Sequence, residues 1–378
     1  MGAEAIKRIK SEKLKMAVPT DRRMRRARSG RRICLSLIGL VCASMLVASC
    51  AAPPMPLADT PPQPVISYPA VSLPADDAPH DYLTEWWYYT GHLATDTGER
   101  FGFELVTFQA VRGNLPTAYV GHFAITDHQR RDFQYDQRSI TGSKQVGQDG
   151  FDLDVSGWRM VGGEGDNFLS ASMPRYAIDL TLRPRRPAVL HDEDGLISFG
   201  AAGDSYYVTR TRLEIQGVID DHGVQKRVTG LAWFDHQWGN FLVLGGGWDW
   251  ISAQLSDGSD IMLNTIRDDR GITQLAYGTY VGPDGSVRHL PGSAFSLEPR
   301  GSWVSTRSGA RYPIGWTVRV KDPLLELVFE PVVQDQELIT EGTTGQTYWE
   351  GENTVSGWSN GRQVAGVGYV ELTGYANR

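Results

Sequence analysis

Trp87-Tyr88-Tyr89 runs through Leu93 into the turn Asp96-Thr97-Gly98 and on into Phe101 to Val111. The same pattern returns as Trp248-Asp249-Trp250 through Leu255, Asp257-Gly258 and Ile261 to Arg267. In both stretches an aromatic and β-branched run meets a Gly-containing turn and then a second apolar run. This predicts hairpins, because Asp and Gly accept the backbone angles of a tight reversal. From Trp86 onward similar short runs recur, Trp316 to Val320 before Pro323 among them, and no long stretch repeats its apolar residues every three to four positions. The fold class read from this is all-β. The recurrence predicts two similar antiparallel β-barrels in tandem, joined near Phe241 to Gly247, where three consecutive glycines provide a joint. Barrels are expected because closure removes exposed strand edges, and a small barrel can enclose one apolar ligand.

The first thirty-two residues carry twelve Lys or Arg against three acids, and Ile33 to Cys50 carry no charge. That is the profile of an export leader, and its apolar run falls short of the roughly 20 residues a membrane span needs. Val47-Ala48-Ser49-Cys50 resembles a bacterial lipobox. The resemblance implies cleavage before Cys50, lipidation of its thiol and, with Ala51 following, an outer-membrane lipoprotein facing the periplasm. Arg31-Arg32-Ile33-Cys34-Leu35 also resembles a twin-arginine signal, so both export routes fit.

All three cysteines, Cys34, Cys42 and Cys50, lie in this leader, which leaves the body without a disulfide, a thiolate metal site or a cysteine nucleophile. Taking the leader's twelve basic and three acidic residues from the chain's 37 and 44 leaves 25 against 41, a surface that disfavours nucleic acid. Ala51 to Pro79 is Pro-rich and reads as an extended tether. The body is then expected as an N-terminal barrel over residues 80–242 and a C-terminal one over 243–378.

The densest chemistry lies in Leu231-Ala232-Trp233-Phe234-Asp235-His236-Gln237-Trp238-Gly239-Asn240, followed by Gly247-Trp248-Asp249-Trp250. A carboxyl group among rings has a raised pKa, because a low dielectric disfavours its charged form, so Asp235 is a candidate general acid. His236 beside it is a candidate base or water orienter. The structural alternative is an Asp that simply accepts a hydrogen bond from a Trp indole or a turn amide. Glu85-Trp86-Trp87-Tyr88-Tyr89 forms a second cluster, in which strand alternation sends Trp86 and Tyr88 to one face and Glu85, Trp87 and Tyr89 to the other. Ser205-Tyr206-Tyr207, Arg267, Tyr348-Trp349-Glu350-Gly351 and Tyr369 to Tyr375 repeat the mixture of rings and charge. There is no H-E-x-x-H pair, no P-loop and no G-x-G-x-x-G after a strand, and the eight histidines, His122 and His128 included, lack metal-motif spacing. No metal and no cofactor are expected.

Taken together, Glu85-Trp86-Trp87-Tyr88, Ser205-Tyr206-Tyr207, Gly230 to Gly239, Gly247 to Trp250 and Tyr348 to Gly351 resemble the AttH and carotenoid 1,2-hydratase family of lipocalin-like proteins, from about His80 to Tyr375. The resemblance implies two lipocalin-like barrels and a cavity for an apolar molecule near their junction. The ligand-binding set assigned on these motifs is Glu85, Trp86, Tyr88, Tyr206, Trp233, Trp238, Trp248, Trp250 and Arg267, with Asp235 and His236 as the catalytic pair. Some relatives hydrate a carotenoid double bond without a cofactor, fungal relatives resemble cyclisation enzymes of the pericyclase type, and others carry a secreted-hydrolase label. The function read here is therefore an envelope lipoprotein that binds an isoprenoid or other lipid-like molecule, either as a cofactor-independent hydro-lyase or as a non-catalytic carrier. A protein-interaction module is a third possibility, resting on exposed strand edges.

Overall fold

The computed structural model describes residues 68–147, 149–241 and 246–376. The expected leader with Cys34, Cys42 and Cys50, the first part of the expected tether and residues 242–245 of the expected joint lie outside them. The first sheet comprises β1 (Thr84–Thr95), β2 (Arg100–Ala110), β3 (Thr117–Asp127), β4 (Asp132–Gly142), β5 (Gly150–Val155), β6 (Trp158–Gly163), β7 (Asn167–Met173), β8 (Tyr176–Pro184), β9 (Val189–Leu190), β10 (Leu196–Ser198), β11 (Asp204–Asp221) and β12 (Val224–Gly239). The second comprises β13 (Gly247–Leu255), β14 (Asp260–Arg267), β15 (Thr273–Val281), β16 (Val287–Pro291), β17 (Phe295–Val304), β18 (Arg311–Val320), β19 (Leu325–Pro331), β20 (Glu337–Thr340), β21 (Gln346–Ser359) and β22 (Arg362–Thr373). Among the described residues the helices are three-residue 3-10 turns, and no helix is long and apolar enough to cross a membrane.

Both sheets are antiparallel and share one plan. The first strand pairs with the last, β1 with β12 and β13 with β22, and the other strands follow outward in the orders β4-β3-β2-β1-β12-β11-β8-β7-β6-β5 and β16-β15-β14-β13-β22-β21-β19-β18-β17. Each sheet rolls up on a filled interior, giving two lipocalin-like barrels in tandem. In the first, the far edges meet where Arg138 of β4 donates to the carbonyls of Ser156 and Ser172 and lies 4.3 Å over the Trp158 ring. Trp87, Tyr89, Phe103, Phe123, Phe151 and Trp158 pack its core. Leu263, Tyr312, Trp316, Phe329 and Trp349 do so in the second. Aromatic and aliphatic side chains pack both interiors.

The internal repeat has a fixed register. Thr95 N–H donates to Glu99 C=O at 2.9 Å and Gly98 N–H to Thr95 C=O at 3.0 Å, and Leu255, Ser259 and Gly258 make the same pair of bonds at 2.8 and 3.1 Å. Gly98 and Gly258 have φ of 85° and 88°, the left-handed region that favours glycine. Matching these turns aligns Tyr88 with Trp248 and Thr90 with Trp250, so the alignment of Trp87 with Trp248 suggested by composition is one residue out. A one-residue slip exchanges the two faces of a strand. The corrected register puts Tyr88, Trp248 and Trp250 all on the outer faces, which pack against each other between the barrels.

Part of the stretch expected as a tether, Ala51 to Pro79, packs against the first barrel. Val71 and Leu73 pack with Tyr206 and Trp238, and Tyr206 Oη donates to Pro69 C=O at 2.8 Å. Asp77, in a 3-10 turn over one end of the first barrel, accepts a bidentate pair from buried Arg210 at 2.9 and 2.8 Å. Removing one partner of a buried ion pair costs about 3–5 kcal/mol, because the other charge stays buried without compensation. Asp77→Ala is therefore expected to lower stability by about that amount, read as a drop in the urea midpoint. An unchanged midpoint would show that the pair contributes nothing.

Candidate active site

Strand β12 distributes the central motif by alternation. Trp233, Asp235 and Gln237 face the second barrel, while Phe234, His236 and Trp238 face the other way. The outward side of β12 joins the even-numbered residues of β1 and β2 and the outer face of β13 to β15 around a cavity of about 590 Å³. Trp86, Phe108, Phe199, Phe241, Trp248 and Trp250 give it an aromatic wall. Its polar groups include four carboxyls, Glu104, Asp235, Asp268 and Glu371, with Glu350 behind, alongside hydroxyls, amides and Arg267.

Asp235 is buried and accepts three hydrogen bonds: from Tyr207 Oη at 2.6 Å on Oδ2, and from Thr209 Oγ1 at 2.5 Å and Trp233 Nε1 at 2.8 Å on Oδ1. Trp250 Nε1 in turn donates to Tyr207 Oη at 3.0 Å. Because Thr209 uses its proton on Asp235, His191 Nε2, 2.6 Å away, must be the donor to Thr209, leaving His191 Nδ1 to accept from Thr279 at 2.8 Å. Burial pushes Asp235 up to about 6, against these donors, which favour its anion. The expected indole bond is present, and the donor set suits an ionised Asp235 better than an acid.

The other carboxyls are held differently. Tyr348 Oη, from the second barrel, donates to Glu104 of the first at 3.0 Å, and Tyr88 Oη, from the first, donates to Glu350 of the second at 2.8 Å. In each carboxyl the second oxygen is buried with no hydrogen-bond partner. Burial and the neighbouring Glu371 push Glu104 up to about 8, and burial with Glu104 and Glu371 puts Glu350 well above the usual carboxyl range. Glu371 accepts from Trp248 Nε1 at 2.9 Å, and burial, assisted by the charge of Asp235, raises it to about 7. The cavity so combines carboxyls that retain a proton near neutrality with one that tends to release it, an arrangement that separates acid from base.

The structure places Trp86, Tyr88, Trp248, Trp250 and Arg267 on the cavity wall. Arg267 is held there by Thr373 C=O at 2.8 Å, by an ion pair with Asp249, and 4.7 Å over the Tyr375 ring. Trp233 stands behind Asp235 as its donor. Glu85, Tyr206, Trp238 and His236, like Trp233, do not line the cavity. Tyr206 and Trp238 stack at 5.2 Å against the N-terminal segment. His236 is buried on the inner side, stacked 4.8 Å from Trp87, with Nε2 2.8 Å from Glu85. It cannot act with Asp235, because adjacent strand residues point to opposite faces. Burial also lowers its pKa, against the pull of Glu85.

His80, Glu85 and His236 have ligand atoms within 4.8 Å of one another, and among the described residues this is the group that could share a cation. Glu85 already accepts from both imidazoles at 2.8 Å and from Gln109. The trio thus forms a closed hydrogen-bonded knot beneath the N-terminal segment. Gly357-Trp358-Ser359-Asn360-Gly361 spells the nucleophile-elbow pattern, but it is the hairpin between β21 and β22, where Ser359 pairs with Arg362. Sequence reasoning missed Glu104, Glu371 and Tyr207. Alternation within the quoted runs Phe101 to Val111, Ser205-Tyr206-Tyr207 and Tyr369 to Tyr375 was the available signal.

A family profile described as AttH-like matches residues 64–375. A solved structure from Nitrosomonas europaea assigned to AttH is 32% identical, with a TM-score of 0.75, over 83% of this chain and 99% of that one. Kievitone hydratase of Fusarium solani subsp. phaseoli is 23% identical over 314 residues, covering 80% of this chain and 85% of that protein. The crystal structure of kievitone hydratase from Nectria haematococca shares the fold at a TM-score of 0.64 and 19% identity, over 81% and 93% of the two chains. Sequence profile and architecture agree, and the chain belongs to the AttH-like family.

Proposed function

We propose that this protein is a cofactor-independent hydro-lyase that adds water to a double bond of an isoprenoid or similarly apolar molecule held between its two barrels. The observation that carries the reading is a buried carboxyl with one oxygen unpartnered, Glu104, and a triply hydrogen-bonded carboxyl, Asp235, on one aromatic-walled cavity. Glu104 gives its proton to the alkene. The resulting carbocation lies among Trp86, Trp248 and Trp250, whose ring faces each stabilise it by roughly 0.5–2 kcal/mol. The Asp235 anion adds electrostatic stabilisation and takes the proton of the attacking water, the part first assigned to His236. The relatives named kievitone hydratase support a hydratase. In this reading the Cys50 anchor holds the enzyme in the envelope, where apolar substrates collect.

A non-catalytic carrier would need only the apolar wall, since burial contributes about 0.8 kcal/mol per CH₂. Carboxyls buried beside that wall disfavour the alternative, because each costs desolvation and does nothing for inert binding.

The test is turnover of acyclic terpenoids by the purified protein in ¹⁸O-water, followed by product mass. Glu104→Gln is expected to lose roughly 10²- to 10⁴-fold in rate, the usual contribution of a positioned proton donor. Terpenoid recovered unchanged by wild type would leave the carrier reading. The active form needs Glu104 protonated and Asp235 ionised, so kcat/KM should fall as pH rises through about 8 and as it drops through about 6. Asp235→Asn should flatten the acidic limb of that profile. An acidic limb unaltered by the substitution would take Asp235 out of the mechanism.

A further inference from the structure

Glu104 sits at the end of a line of hydrogen bonds that crosses between the barrels and leads away from the cavity. Tyr348 Oη is 3.0 Å from Glu104 Oε1 and 2.8 Å from His122 Nδ1. His122 Nε2 is 3.1 Å from Thr343 Oγ1, which is 2.6 Å from Gln137 Oε1. Thr343 belongs to the exposed turn between β20 and β21, flanked by exposed Gly342 and Thr344. His122 itself is 1% exposed, and the edge of the Phe108 ring closes on it at 5.4 Å. We infer that Glu104, Tyr348, His122 and Thr343 form a proton path that connects the cavity with solvent at the Thr343 turn.

The donor and acceptor inventory gives this line two settings, and only the second puts a proton in the 2.6 Å contact between Thr343 Oγ1 and Gln137 Oε1. With Glu104 ionised, Thr343 donates to His122 Nε2, His122 Nδ1–H donates to Tyr348, and Tyr348 donates to Glu104. With Glu104 protonated, Glu104 donates to Tyr348, Tyr348 to Nδ1, Nε2–H to Thr343, and Thr343 to Gln137. The passage from one to the other moves a single proton inward. The Tyr348 O–H bond breaks as the Glu104 O–H forms, Nδ1–H breaks as Tyr348 regains its proton, and the Thr343 proton passes to Nε2. Water at the turn restores Thr343, so one proton enters and no electron moves. An imidazole that stays neutral and changes tautomer is what such a step requires, and burial holds His122 far below its usual pKa, at about 3.

This deepens the hydratase reading, in which Glu104 gives up a proton at each turnover behind a wall of rings. The path can be tested without any substrate. Glu104 in its protonated form has a carboxyl C=O infrared band, assigned by its loss in Glu104→Gln, that shifts when the protein is mixed rapidly with D₂O. Thr343→Val, at the exposed end, and His122→Gln, which can hydrogen bond but not change tautomer, are expected to slow that shift by roughly 10²-fold, the scale of one positioned proton-transfer group. Thr344→Val, beside the path, should exchange like wild type. Exchange in Thr343→Val and His122→Gln as fast as in wild type overturns the path and leaves the hydratase reading standing. Slowed exchange in a protein that turns over no terpenoid overturns the hydratase reading alone, and absence of the band overturns both.

Discussion

Antiparallel pairing of β1 with β12, from Thr84 opposite Gly239 to Thr95 opposite Val228, is the constraint on which the rest depends. It fixes which half of each strand is turned into the first barrel and which half is presented to the second. Trp87, Tyr89, Phe234 and His236 go inward, and Trp86, Tyr88, Trp233 and Asp235 go outward. The pairing of β13 with β22 does the same for Trp248, Trp250 and Glu371. The cavity exists because two outward faces, each too aromatic for water, are laid against each other with a gap between them.

The electrostatics of that seam differ from one part to another. Where β1 and β3 meet β21, burial pushes Glu352 up, but His128 and His92, at 2.8 and 2.7 Å, outweigh it and hold this carboxyl below its usual range. Glu104 and Glu350, in the same interface, have phenols for neighbours and no cation, so desolvation wins and they keep their protons. The same residue type is therefore an anion in one part of the contact and an acid in another, and the difference lies in the partner each one has.

Much of this was legible in the chain. Turn glycines and aromatic runs were enough for an all-β tandem, since hairpins are local. Alternation placed Trp86 and Tyr88 together and apart from Trp87. The same rule, applied along Trp233 to Trp238, separates Asp235 from His236, and applied to Ser205-Tyr206-Tyr207 it selects Tyr207. Adjacency in sequence was read there as adjacency in space, which a strand forbids. Alternation along Phe101 to Val111 could single out Glu104 but not its role, because what makes Glu104, Glu350 and His122 chemical is contact across 200 or more residues, Tyr348 with Glu104 and with His122 and Tyr88 with Glu350. The packing of the segment before β1 was masked by its prolines, although buried Asp77 finds its partner in Arg210, far along the chain.

The exchanged Tyr and Glu bonds between the barrels bear on how such a chain can change over time. Each half supplies a phenol to the acid of the other, so a lone half would show water a broad aromatic face with its acid deprived of its donor. Shuffling, truncation or recombination at the central glycines would break both of these bonds together with the others that cross the seam, Trp250 to Tyr207 and His122 to Tyr348 among them. Variation that preserves the seam must come as matched changes on both sides.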